Sequence, residues 1–191
     1  MAINIKELVA GTMLELVKRQ TLESITIKDI LEASKISRQT FYNHFQDKDD
    51  LIHYIYDHII IPNFNEADAK LNFYGALLVA FENMKNHHTF MKQACIMEGQ
   101  NCLKDHIFEH CRDFDLKWHQ ELYGDAPMPD ELVFATIYHA TASSSMTLSW
   151  ILANMPVPCE EIALMIVKMR GLGMEELFAK GKTKGNPYAV D

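Results

Sequence analysis

Residues 24–51 read Ser-Ile-Thr-Ile-Lys-Asp-Ile-Leu-Glu-Ala-Ser-Lys-Ile-Ser-Arg-Gln-Thr-Phe-Tyr-Asn-His-Phe-Gln-Asp-Lys-Asp-Asp-Leu, and they spell out two helix starts in succession. Thr26-x-x-Asp29 has the form of a capping box, in which a Thr oxygen and an acid three residues on satisfy each other's backbone N–H groups. Ile25 precedes the cap and is placed to pack on Ile30, which makes a hydrophobic staple. Ser37 repeats the device, with Ile36 against Phe41. Residues 33–36 leave a turn of only three or four residues, the length that sets two helices at a steep crossing angle. The second helix must therefore protrude, and the pattern reads as a helix-turn-helix.

The charge around that helix separates it from the rest of the chain. The 191 residues carry a net charge of −8, which argues against general affinity for a polyanion. Residues 1–60 hold seven Lys/Arg and nine Asp/Glu, a net of −2. Residues 33–46, however, hold Lys35, Arg38 and His44 and no acid. Such a chain depends on a few well-placed contacts rather than on bulk charge. With Phe41 and Phe45 turned to the core, Ser37, Arg38, Gln39 and Asn43 face outward. Arg and Gln are the side chains that make paired hydrogen bonds to guanine and adenine edges, so Arg38 and Gln39 are the expected base readers. Thr26 and Lys28, at the start of the preceding helix, have the donors to meet phosphates.

Thr26, Asp29, Ile30, Ser37, Thr40, Phe41, Tyr42, His44, Phe45, Lys48 and Leu51 together resemble the signature of the TetR family of one-component transcription regulators, over about the first 60 residues. The resemblance implies an all-α fold: an N-terminal three-helix DNA-binding domain (1–46), a linking helix (47–61), a helical ligand-sensing and dimerisation domain (62–180) and a flexible tail (181–191), about nine helices in all. It also implies double-stranded DNA as a partner, with Tyr42, His44 and Lys48 on phosphates and Lys35, Ser37 and Thr40 beside them. The family usually has Gly where this chain has Lys35. A left-handed residue there costs about 1 kcal/mol more as Lys than as Gly.

The remaining pattern is helical throughout. Ile5, Leu8, Val9, Met13, Leu16 and Val17 recur at helical spacing and predict a first helix over 4–20. Asp47 caps a fourth helix whose stripe is Leu51, Ile52, Ile55 and Ile59, stopped by Pro62. Further helices are predicted over 66–86, 88–97, 100–123, 130–154 and 159–180, with breakers at Gly124, Pro127, Pro129, Pro156 and Pro158. The length suits a domain of about 50 residues and one of about 130, each with its own core. A hydrophobic content of 48% and no apolar run long enough to span a bilayer point to a soluble protein with no membrane partner. The amphipathic start and four unpaired cysteines, at 95, 102, 111 and 159, place it in the cytoplasm.

Ala135, His139, Ala142, Met146, Ser149 and Ala153 form a mostly small stripe that lets another helix approach, and Ile162, Met165, Ile166 and Met169 give the last helix an apolar face. These two helices either complete a monomer core or pair two copies. The family resemblance implies a homodimer through the last two helices, and residues 150–163 are also similar to the dihydroxyacetone-kinase-activator branch. A two-fold pair sets its reading helices about 34 to 36 Å apart, so the operator is expected to be an inverted repeat. The family likewise implies a small-molecule effector held among the middle helices, with Phe73, Phe81, Met91, Cys95, Trp118, Tyr138, Thr141 and Ser145 as candidate lining residues. No cofactor is implied.

Two other chemistries were open. Cys102, His106 and His110 lie at i, i+4 and i+8 with Cys95, Cys111 and His119 nearby, but three ligands along one helix spread over about 12 Å and cannot share one ion. A pair of them with ligands from another helix could still sense metal. No phosphate loop, nucleophile elbow or paired-carboxylate motif marks an enzyme. The rival to a DNA-binding regulator is a TetR-like interaction protein that keeps its dimer and pocket but has weakened DNA affinity.

Overall fold

The computed structural model describes residues 4–61 and 73–179, and among these the chain is helical with no strand. Pro62, positions 66–72 of the fifth expected helix, and the tail from Gly181 lie outside them.

Helix α1 (Ile5–Leu16) begins at Asn4, whose side-chain oxygen accepts from the backbone of Lys6 and Glu7, and it buries Val9, Ala10, Met13 and Leu14. It stops four residues short of the expected end, and residues 17–20 form a looser turn. Helix α2 (Ile27–Ser34) carries the capping box in full: Asp29 N–H donates to Thr26 Oγ1 at 3.2 Å and Thr26 N–H to Asp29 Oδ2 at 2.8 Å. Ile25 and Ile30 are both buried, as the staple requires. Lys35 ends α2 in the left-handed conformation, φ 57° and ψ 32°, so the strain expected of a non-Gly residue in this turn is present. Helix α3 (Arg38–Tyr42) starts at Ser37, whose Oγ accepts from Thr40 N–H at 3.0 Å. Helix α4 (Lys48–Ile55) starts at Asp47 and runs into a π-helical turn, Tyr56–Ile60, closed by Ile61 N–H on Tyr56 C=O. Such turns insert a residue and rotate the side chains beyond it. Here the turn brings Asp57 against a later helix.

The body comprises α5 (Phe73–Asn86), α6 (His88–Ile96), α7 (Leu103–Tyr123), α8 (Asp130–Leu152), α9 (Cys159–Gly171) and α10 (Met174–Leu177). Helix α7 lies along α8, and α5 along α9. The expected last helix is broken at Gly173, φ 78°, because Met174 and Phe178 turn inward and become fully buried. With Tyr123, Leu132 and Val167 they form a small second core.

The main core does not respect the expected division into two separately packed units. A single buried cluster runs from Val9, Phe41 and Phe45 in α1–α4 through Ile55 and Tyr56 to Phe81, Phe90, Trp150 and Ile162 in the body. The head is thus packed onto the body rather than tethered to it.

Candidate nucleic-acid interface

Phe41 and Phe45 lie under α3, 0% and 2% exposed, and fix which way its other side chains point. Arg38, Gln39, Asn43 and His44 are exposed on the opposite side, with Tyr42, Lys35 and Ser37. Gln39 donates to Asn43 Oδ1 at 2.9 Å, one helical turn away, and the Arg38 guanidinium sits 5.6 Å from the Tyr42 ring. The expected base readers and two of their neighbours are therefore pre-arranged on one outward face by contacts of their own. Ser37 and Thr40 share a hydroxyl contact of 2.8 Å at the start of α3. On α2, the Thr26 hydroxyl is engaged with Asp29, and Lys28 stands exposed with Glu32 3.7 Å away.

Lys48, expected on a phosphate, has its ammonium on the carbonyls of Leu22, Glu23 and Ile25 at 3.1, 3.2 and 3.1 Å. Three N–H donors meet three acceptors at the end of the α1–α2 connection, so Lys48 pins that connection to α4. Leu22 is held from its other side too, its N–H donating to Gln93 Oε1 on α6 at 2.5 Å. Lys6 of α1 lies 5.6 and 5.2 Å from the Phe45 and Tyr54 rings, bracing the head from below.

The candidate effector residues are not brought together. Phe81, Met91 and Cys95 are buried in the main core, where burial pushes the Cys95 thiol up to about 12. Phe73 and Trp118 stack at 5.3 Å beside the second core. Tyr138, Thr141 and Ser145 lie apart from the others, exposed on the outer face of α8, Tyr138 at 62%. They continue a surface stripe with Phe134 and Met146, and α9 adds Met165 and Met169. Ala142, Ser149 and Ala153 of the expected small stripe are exposed there as well, whereas Ile162 and Ile166 turn into the core.

Cys102, His106 and His110 do not converge either. The Cys102 thiol donates to Asp105, while His106 and His110 both meet Asp57 of the π-helical turn, at 2.8 and 3.4 Å. Among the described residues no group of three or more His, Cys, Asp or Glu is arranged to hold a metal ion. Burial pushes the Asp57 carboxyl up, but hydrogen bonds from His106 and His110 and their charge pull it well below the usual carboxylate range. A carboxylate taken up by two imidazoles is a polar junction between elements, not a ligand sphere. His53 of α4 completes the seam, bonded to Asn101 C=O at 3.1 Å. A groove of about 370 Å³ opens there, lined by His53, Gln100, Asn101, Asp105, His106 and Glu109 among others.

Buried polar groups tie the body helices together. Arg170 of α9 is paired with Asp115 of α7 and donates to Ser143 of α8 at 3.2 Å. His119 Nδ1 lies 2.7 Å from Thr136 Oγ1, whose own hydrogen goes to Leu132 C=O. The imidazole must therefore donate from Nδ1, and burial pushes its pKa down to about 3.

Sequence reasoning missed Gln93, His53, Asp57 and the Arg170–Asp115 pair. The i, i+4 spacing of His106 and His110 was a usable signal for a shared partner, but the partner sits on another element.

Comparisons with known proteins agree with this architecture. The family described as "Bacterial regulatory proteins, tetR family" matches residues 12–55, and "Transcriptional regulator C-terminal region" matches residues 72–170. An "HTH-type dhaKLM operon transcriptional activator DhaS" from Lactococcus lactis subsp. lactis (strain IL1403) is 22% identical over 123 residues, 59% of this chain and 66% of that protein. A solved structure of a dihydroxyacetone kinase operon activator DhaS superposes with a TM-score of 0.68 at 21% identity, covering 88% of this chain and 95% of the other. One assigned to the TetR family, from Syntrophomonas wolfei str. Goettingen, gives 0.55 at 18% identity, covering 86% and 92%. The chain belongs to the TetR family of transcriptional regulators, and α2 and α3 are its DNA-binding helix-turn-helix.

Proposed function

We propose that this protein is a homodimeric, ligand-responsive regulator that binds an inverted-repeat DNA operator in the cytoplasm. The observation that carries the reading is the outward face of α3, where Arg38, Gln39 and Asn43 stand exposed over buried Phe41 and Phe45 with no acid between residues 33 and 46. Arg38 and Gln39 read base edges. Lys28, Lys35, Tyr42 and His44 position the helix on phosphates, with Thr26, Ser37 and Thr40 at the helix starts.

The dimer reading is supported by the apolar stripe on α8 and α9. Phe134, Tyr138, Met146, Met165, Met169 and Leu172 are each 44–72% exposed, and exposed apolar side chains of that size on two helices are what a partner helix pair covers. Effector response is supported by the shared core, since repacking around Phe81, Met91 and Cys95 reaches the head through continuous contacts. The regulator named DhaS acts as an activator by name; here the sign of regulation depends on where the operator lies.

A gel shift on DNA from the protein's own promoter region, run from low to high salt beside a solution mass measurement, tests this. The expected result is a dimer whose binding falls steeply with salt and is lost in Arg38→Ala. No binding at low salt would instead favour a TetR-like protein that works through a protein partner.

A further inference from the structure

Helix α6 places two consecutive polar side chains on two different parts of the molecule. Gln93 reaches the head, where its Oε1 accepts from Leu22 N–H at 2.5 Å. Lys92 reaches the connection between α8 and α9, where its ammonium donates to Asn154 Oδ1 at 2.5 Å. Successive residues on an α-helix point about 100° apart, so one rigid turn of α6 serves both directions.

Both ends of this bridge are themselves held. Leu22 has a fully buried side chain, and its carbonyl takes a hydrogen bond from Lys48 of α4, so the α1–α2 connection is clamped between α4 and α6 immediately before α2 begins. At the other end, Asn154 and Met155 both adopt left-handed backbone, φ 65° and 54°, a conformation costly for a side chain as large as Met. The turn is closed by Met155 N–H on Trp150 C=O at 2.8 Å, and the Trp150 indole N–H donates to Val157 C=O at 2.9 Å. The α8–α9 connection is thus a stiff object joining the two helices that carry the exposed apolar stripe.

We infer that Gln93, backed by Lys92, is a positioning residue that fixes the pitch of the reading head relative to the α8–α9 pair, and so sets which operator half-site spacing a dimer accepts. The inference rests on the dimeric, operator-binding reading above. Its physical basis is lever geometry: a shift at the start of α2 is carried outward to α3, while the α8–α9 pair is fixed by the partner copy. Loss of one hydrogen bond at the fulcrum leaves the base-reading face intact and frees its angle.

The test is a set of operators whose half-sites are respaced one base pair at a time, with wild type, Gln93→Leu, Gln93→Glu and Lys92→Met, and with amide hydrogen exchange on the same proteins. Glu at 93 keeps an acceptor for Leu22 N–H; Leu does not. Gln93→Leu is expected to cut the preference for the best spacing by about 3- to 10-fold, the worth of one part-buried hydrogen bond, while leaving binding to a single half-site within about 2-fold. Gln93→Glu keeps the wild-type profile, and Lys92→Met moves in the direction of Gln93→Leu. The Leu22 amide exchanges at least about 10-fold faster in Gln93→Leu than in wild type or Gln93→Glu. An unchanged spacing profile, or an equal loss on half-site and full operator, overturns the inference. If wild type binds no DNA at any spacing, the regulator reading fails, and the bridge is then judged by the exchange alone: unchanged Leu22 exchange overturns it.

Discussion

His53 of α4 and His106 of α7 lie face to face across the seam between head and body, their ring centres 4.0 Å apart and their planes 6° from parallel. Two neutral imidazoles stack well at that distance; two imidazolium ions repel. Burial, and then the charge of His106, push the His53 pKa down, against smaller pulls upward from the Asn101 carbonyl, Asp57 and Asp49. Burial does the same to His87, His119 and His139.

A group with a lowered folded-state pKa takes up its proton first in the unfolded chain, so stability is full above the ordinary imidazole value of 6.5 and is lost as pH falls below it. Urea midpoints measured from pH 7.5 down to 5.5 should fall, and His53→Gln should fall less than wild type. An equal drop in both would show that His53 does not contribute.

Asp57 works in the opposite range. Its lowered pKa stabilises the fold above ordinary carboxylate pH and is lost only in strong acid. At neutral pH, Asp57→Asn removes the charged acceptor shared by His106 and His110 and should cost about 1–2 kcal/mol by denaturant unfolding.

Lys35 carries a conformational cost that one substitution relieves. At φ 57° a Gly is unstrained, so Lys35→Gly should raise stability by about 1 kcal/mol even though it removes an exposed cation near the DNA face. The same variant should bind DNA more weakly at low salt if Lys35 meets phosphate. Unfolding and binding measured together separate the two effects.

What could be read ahead of the structure divides by range. The caps at Thr26, Ser37 and Asp47 are written in residues three apart, and each forms as its spacing requires. The face of α3 follows from Phe41 within it and Phe45 just beyond its end, because two buried aromatics four apart leave the segment only one way to lie. The stripe through Tyr138, Thr141 and Ser145 is equally regular, yet helical period shows only that residues share a side, not whether that side meets the core or another molecule. Lys48, Gln93 and Asp57 were beyond reach for a different reason. Their partners are Leu22, 26 and 71 residues away, and His106, 49 residues away, and only tertiary packing brings them together.

Lys48 therefore separates two readings of a single cation. As a clamp on three carbonyls it should cost about 1–3 kcal/mol of stability when changed to Met. Its loss should leave the slope of DNA affinity against salt unchanged, whereas a lysine on phosphate would reduce that slope by about one.

Arg38 and Gln39 are expected to behave in the reverse way. Both are exposed, so changing either to Ala should leave the urea midpoint nearly unmoved. Each should lose about 1–3 kcal/mol of operator affinity and relax the preference at one base pair, as measured by competition among single-base operator variants. A uniform loss over all sequences would place them on phosphates instead.

The Arg170–Asp115 pair gives the sharpest stability test, because both groups are nearly without solvent, 4% and 1% exposed. Arg170 also lies 4.9 Å from the Phe73 ring, so one guanidinium links α5, α7, α8 and α9. Removing either partner deletes this ion pair from the interior, and Arg170→Met or Asp115→Leu alone should cost about 3–5 kcal/mol. The double variant removes both charges together, and it should recover most of that loss if Met and Leu fill the volume. If the double variant is as unstable as the sum of the singles, the contacts to Ser143 and Phe73, rather than the ion pair, are what Arg170 contributes.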